Sequence, residues 1–147
     1  MVSQNTHTAR HIFMVDDDED DRMIFSDILR SADNSIVLTE VENGKKLMDL
    51  LDNPPLPHLV FLDLNMPVKD GFECLEQIRK QAKLKQLNIV VYTTSDNPET
   101  IRKAQHLGAT FYAVKPCSME NLRTLINTIL DMDWLTLRPE SRSFRLI

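Results

Sequence analysis

Cysteine is scarce in this chain of 147 residues: Cys74 and Cys117 stand far apart and neither belongs to a Cys-x-x-Cys pair. A disulfide framework and a thiolate zinc site are therefore not signalled, and two reduced thiols are expected. Lysine and arginine are never gathered into a run that could track a phosphate backbone. They total 17 against 22 acidic residues, for a net charge of −5, so direct nucleic-acid binding is not expected. No apolar stretch is long enough to cross a bilayer, and Met1 to His11 is polar, without the apolar core of a signal peptide. The expectation is a cytoplasmic protein with no membrane partner. Internal repeats and low-complexity linkers are also missing. The histidines, His7, His11, His58 and His106, are scattered without ligand spacing.

What is there is enough for one good core: 147 residues, 42% of them hydrophobic, suit one domain with short appendages. Short apolar runs rich in branched and aromatic residues alternate with longer segments of helical periodicity, the pattern of a parallel sheet wrapped by helices. Strands are expected near Ile12–Val15, Ile36–Val41, His58–Leu62, Asn88–Tyr92 and Thr110–Val114. Four read as continuous apolar runs, as buried parallel strands should. The second mixes in Thr39 and Glu40 and reads as an edge strand. Helical stripes recur at Ile24, Phe25, Ile28, Leu29, at Leu47, Leu50, Leu51, at Leu75, Ile78, Ala82, and at Leu122, Leu125, Ile126, Ile129. Asn43, Asn97 followed by Pro98, and Ser118 suit helix starts, and Gly108 suits a stop. Trp134 to Ile147 breaks periodicity and reads as an extension in which Trp134 and Phe144 need somewhere to go. The expected organisation is a flexible N-terminal segment over 1–9, a domain over 10–133 and a C-terminal extension over 134–147.

Chemistry concentrates where the strands end. The first strand runs into Asp16-Asp17, the third into Asp63, the fourth into Thr93-Thr94 and the fifth into Lys115-Pro116. In a doubly wound parallel sheet these ends share one rim, and ligands bind there. Crowded carboxylates resist ionisation unless a cation neutralises them. Mg²⁺ prefers a few carboxylates plus water and a phosphate oxygen, so the set suits phosphoryl transfer. An aspartate can attack phosphorus and form an acyl phosphate where positive charge offsets the repulsion. Asp63 is the expected nucleophile, Asp16 and Asp17 the metal ligands, and Lys115 the partner of a phosphoryl oxygen. Thr93 is expected to hydrogen-bond another oxygen, and the Asn65 carbonyl to complete the metal's shell.

Val15-Asp16-Asp17, Leu62-Asp63-Leu64-Asn65-Met66-Pro67, Asp70-Gly71, Thr93 and Val114-Lys115-Pro116 together resemble the signature of bacterial response-regulator receiver domains, the single-domain chemotaxis type among them. The resemblance covers roughly 10–132, with five separated motifs in the family's order. It implies a flavodoxin-like α/β fold with strand order 2-1-3-4-5 and helices on both faces. It also implies phosphorylation of Asp63 with Mg²⁺, and a histidine kinase or histidine phosphotransfer domain as donor. Thr93, rather than Thr94, matches the switch hydroxyl, and Tyr112 the aromatic that reorients with it. An output face built from the fourth helix, fifth strand and fifth helix would then meet a protein target whose identity is unknown. A cis bond before Pro116 is a further implication. Cys117 stands where an aromatic is frequent, and Asn65 and Ser95 occupy variable positions that bear on phosphoryl lifetime.

Competing readings are weaker. Asp16, Asp18 and Asp20 mimic an EF-hand, but Asp21 stands for the required Gly and Asp27 for the closing Glu, so calcium binding in that mode is rejected. Asp18 to Asp21 read instead as a solvated acidic helix start. A Mg²⁺-dependent aspartyl phosphatase would need a second acid two residues after its nucleophile, and that place is Asn65. A receiver serving only as a phosphorylation-independent scaffold would not need the complete set of Asp, Thr and Lys. The expected role is thus a non-enzymatic switch, and the tail is a candidate docking element for a partner or a second copy in a homodimer.

Overall fold

The computed structural model describes residues 7–147. Along the chain run β1 (His11–Val15), α1 (Glu19–Ala32), β2 (Val37–Val41), α2 (Gly44–Leu51), β3 (Leu59–Leu62), α3 (Gly71–Lys80), β4 (Asn88–Thr93), α4 (Pro98–His106), β5 (Phe111–Val114) and α5 (Met119–Leu130). The strands form one parallel sheet in the order β2-β1-β3-β4-β5. The crossover from the β1 side to the β4 side places the rim where strand order reverses at the carboxyl ends of β1 and β3.

Alternation along each strand divides the core in two. Ile12, Met14, Leu59, Phe61, Val90, Tyr92, Phe111 and Ala113 pack beneath α1 and α5 with Phe25, Ile28, Leu125 and Ile129. Phe13, Val15, Val60, Leu62, Ile89, Val91 and Tyr112 face α2, α3 and α4 with Leu47, Leu51, Leu75 and Ile78. Each large apolar side chain so buried contributes roughly 1.5–3 kcal/mol, and the period of two leaves no freedom of register without turning a whole strand inside out. β2 lies at the sheet edge, as its mixed composition predicts, with Val37 and Glu40 exposed.

Capping follows the expected residues. Asn43 accepts from the Lys46 amide, Asn97 from Glu99 with Pro98 opening the helix, and Ser118 from Asn121. Gly108 closes the turn after α4 at φ +99°, a conformation that L side chains rarely adopt.

Several expectations need correction. Ala82 does not extend the third helical stripe: Gln81 turns extended at φ −93°, ψ 123°, and Ala82–Leu84 form a separate 3₁₀ turn. Ile24 and Leu50 are more than one third exposed, because each sits at the margin of its apolar stripe rather than its centre. The cis bond expected before Pro116 is not present. The cis bond found among the described residues joins Pro54 and Pro55, and Lys115 reaches its partners with the intrinsically favoured trans form.

Both ends of the described residues are tied to the domain. Of the segment read as flexible, residues 1–6 lie outside the described ones. Ala9 is fully buried, Thr8 bonds both the Met132 carbonyl and the Trp134 amide, and His7 meets Asp33 at 2.7 Å. Trp134 packs edge-on against Phe111, and its indole N–H donates to the Ile129 carbonyl at 2.9 Å.

Candidate functional site

Two apolar strands aim their carboxyl ends at the site. β1 delivers Asp16, whose amide donates to Val41, and β3 delivers Asp63, whose amide donates to Val15, both at 3.0 Å. The ladder thus carries on one residue past each strand and fixes both carboxylates. Asp16 is 0% exposed and Asp63 5%. Asp17 is exposed beside them, and one carboxylate oxygen from each of Asp16, Asp17 and Asp63 lies within 4.8 Å of the others. Three converging hard oxygen donors are what a divalent cation of the Mg²⁺ or Ca²⁺ kind requires.

Lys115 closes the cluster. Its amide donates to the Thr93 carbonyl at 2.7 Å, continuing the β4–β5 ladder. Its ammonium donates to Asp16 Oδ2 at 2.6 Å, to Asp21 Oδ2 at 2.8 Å and to Asp63 Oδ2 at 3.4 Å. Burial alone would lower the Lys115 pKa, but the hydrogen bonds to Asp16 and Asp21 and the charge of Asp63 outweigh it and leave the pKa raised. Lys115 is therefore a permanent charge at neutral pH. For Asp16 burial dominates: it raises the pKa to about 6, although Lys115 and the Asp18 amide pull it down, and the charge of Asp63 raises it further.

The loop from β3 to α3 borders Asp63. The Asn65 amide donates to Asp63 Oδ1 at 3.2 Å, and the Asn65 side chain is exposed. Val68 adopts φ 70° at the centre of a tight turn closed by the Lys69 amide on the Pro67 carbonyl at 2.7 Å, a strained conformation for a β-branched residue. Asp70 caps α3 through the Glu73 amide. Gly71 has no alternative: a Cβ there would stand 2.4 Å from the Asp63 carbonyl and 2.8 Å from Leu64 Cα.

Thr93 ends β4 fully buried, and its hydroxyl has no hydrogen-bond partner among the described residues. Thr94 is exposed, so of the two it is Thr93 that belongs to the interior. An enclosed hydroxyl without a partner costs free energy, and this one has its donor capacity unused. Tyr112 is also fully buried, and its hydroxyl donates to the Ser95 carbonyl at 2.7 Å.

Two residues escaped the sequence reading. Asp21 is not merely part of a solvated helix start, because it bonds Lys115 directly. It lies four residues before the buried Phe25 on the inward stripe of α1, a spacing that could have placed it. Tyr92 packs in an aromatic cluster with Phe25 and Phe61, and the Lys115 ammonium lies 5.7 Å from its ring centre.

Comparison with known proteins agrees with this geometry. A family model described as the response regulator receiver domain matches residues 12–127. The response regulator Rcp1 of Synechocystis is 29% identical over 140 residues, covering 91% of this chain and 95% of its own. Its Mn²⁺-bound crystal structure superposes with a TM-score of 0.77 over 88% of this chain and 97% of that one. The two-component response regulator ORR3 of rice, Oryza sativa, is 29% identical over 120 residues, 82% of this chain and 90% of its own. The phosphorylated cyanobacterial phytochrome response regulator RcpA, 29% identical, gives a TM-score of 0.79 over 89% of this chain and 96% of that one.

Proposed function

The chain belongs to the response regulator receiver domain family, and from that premise we propose that it accepts a phosphoryl group on Asp63, with Mg²⁺ as cofactor and a phosphohistidine of a kinase or phosphotransfer domain as donor. The observation that carries the assignment is the meeting of buried Asp63 with Asp16, Asp17 and Lys115 on one rim. The Mn²⁺-bound structure of Rcp1 and the phosphorylated structure of RcpA support the same pairing of metal and phosphoryl group here.

In this reading a carboxylate oxygen of Asp63 attacks phosphorus, an O–P bond forms, and the N–P bond to the donor imidazole breaks. The leaving imidazole keeps the electron pair and takes a proton from solvent. Asp16, Asp17 and Asp63, with the Asn65 carbonyl, would hold Mg²⁺, which when bound neutralises the crowded carboxylates and the incoming oxygens. Lys115 supplies a compact charge to a phosphoryl oxygen, and must loosen its bonds to Asp16 and Asp21 to do so. Thr93 gains in that oxygen the acceptor its hydroxyl lacks. Tyr112, on the same sheet face, follows Thr93, and the surface around α4, β5 and α5 changes its affinity for a protein target. The chain is then a switch rather than an enzyme acting on external substrates, with 10–133 as the receiver and 134–147 as its extension.

Acetyl phosphate with and without Mg²⁺, read by intact mass, tests this. One phosphoryl group should be gained with Mg²⁺ and none by Asp63→Asn. Undiminished labelling of the variant would move the acceptor elsewhere, and no labelling of the native protein by either acetyl phosphate or a phosphohistidine donor would leave the scaffold reading.

A further inference from the structure

β5 ends the sheet, yet its outer edge is not bare. The Tyr112 amide donates to the Phe144 carbonyl at 2.9 Å, and the Leu146 amide donates to the Tyr112 carbonyl at 2.8 Å, with Arg145 paired to Tyr112 in a parallel bridge. The tail thus covers the edge with a single parallel bridge flanked by two ladder bonds. Phe144 lies with its ring centre 6.3 Å from that of Tyr112, tilted by 47°, against one half of the core, while Leu146 packs with Leu137 against the other.

Tyr112 therefore has two attachments. Outward, its backbone and one face of its ring are held by the tail; inward, its hydroxyl holds the Ser95 carbonyl in the loop after β4. Thr93 stands at the start of that loop, two residues beyond the Val91 that pairs with Tyr112, and so on the same face of the sheet. Its unpartnered hydroxyl is the group a phosphoryl oxygen would recruit. Movement of Thr93 toward Asp63 would vacate space beneath the loop, which the inward ring of Tyr112 fills. A Tyr112 ring turned outward would instead run into Phe144, so leaving the inward position requires release of the tail.

Resting on the receiver reading above, we propose that Phe144–Leu146 is a strap coupled to the phosphorylation site: docking of the strap on β5 and a phosphoryl group on Asp63 stabilise the same inward Tyr112. Phosphorylation then tightens the strap, and by linkage the strap tightens the phosphorylated state to the same degree. Two ladder bonds, one partly exposed ring and the half-buried Leu146 hold the segment, which puts it at the low-stability end of the fold, where a modest bias moves the population. The surface that a partner meets along β5 is then the outer side of the strap, with exposed Arg142 and Arg145, whenever the protein is switched on.

The double variant Phe144→Ala/Leu146→Pro removes the ring and one ladder donor. Titration with beryllofluoride in Mg²⁺, read by calorimetry, should show affinity weakened about 5-fold or more relative to the native chain. In the native chain, the same ligand should slow hydrogen exchange of the Leu146 amide by a comparable factor, a readout that needs no variant to fold. Equal affinity of the two proteins together with unchanged exchange at Leu146 overturns the strap while leaving the receiver chemistry standing. Failure of the native chain to bind beryllofluoride overturns both.

Discussion

Replacing Asp16 with asparagine should stabilise the metal-free protein at neutral pH while harming its function. Asp16 is fully buried and its carboxyl is raised from 3.8 to about 6. The folded state therefore binds a proton more tightly than the unfolded one. The resulting stability is fully present below about pH 3.8 and is lost as pH rises through about 6. At about 1.4 kcal/mol per pK unit the loss amounts to about 3 kcal/mol by pH 7. Asparagine has the same shape and carries no charge, but it accepts with one oxygen where Asp16 accepts with two, so Asp16→Asn should recover part of this, at most about 3 kcal/mol. For a domain of this size that ceiling is roughly 6–12 °C in Tm. Thermal melts of both proteins in EDTA from pH 4 to 8 would check it: the curves should converge near pH 4 and separate above pH 6, with the variant higher. Millimolar Mg²⁺ should then narrow the gap by stabilising the native protein preferentially. A variant no more stable than the native protein at pH 7 in EDTA, or parallel pH profiles, would refute the reasoning.

Asp21→Asn should free Lys115 from one of its three carboxylates and speed phosphorylation by acetyl phosphate about 2–5-fold, on the scale of a part-exposed ion pair worth roughly 0.5–1 kcal/mol; stopped-flow rates unchanged or slowed would count against that role. Gly71→Ala must push the Asp63 carbonyl or the Leu64 backbone aside, costing about 2 kcal/mol or more in urea unfolding and slowing phosphorylation, whereas native stability would show that the close approach is not tight. Trp134→Ala removes a buried indole and its bond to Ile129 and should cost about 3–5 kcal/mol by the same assay; a loss under 1 kcal/mol would mean that the tail hardly contributes to the core.

Much of this molecule is legible before it folds, for identifiable reasons. The strands at Phe13, Val60 and Val90 announce themselves because buried parallel strands must be apolar on both faces, and the acidic and basic residues that follow them are conspicuous at such ends. Asp16, Asp63 and Lys115 are brought together by strand order, which the βα alternation and the motif spacing already imply. What was hidden depends on tertiary geometry. Asp21 sits in a run of acids where composition suggests solvent; its place four residues before buried Phe25 points it inward, but its partner Lys115 emerges only once α1 packs on the sheet. Ala82 fits a helical stripe, and the break at Gln81 has no proline or glycine to mark it. The destination of Phe144 and Leu146 could not be read locally, because a tail of broken periodicity finds its partner only after β5 is known to be a free edge.

The central claim is that Asp63 is the phosphoacceptor, and the position of the acyl phosphate tests it most directly. The protein would be phosphorylated in Mg²⁺, reduced with borohydride to convert an aspartyl phosphate to homoserine, digested, and sequenced by mass spectrometry. Homoserine at position 63, with Asp16, Asp17 and Asp21 intact, is the predicted result. Homoserine at any of those three, with Asp63 unmodified, would contradict the account.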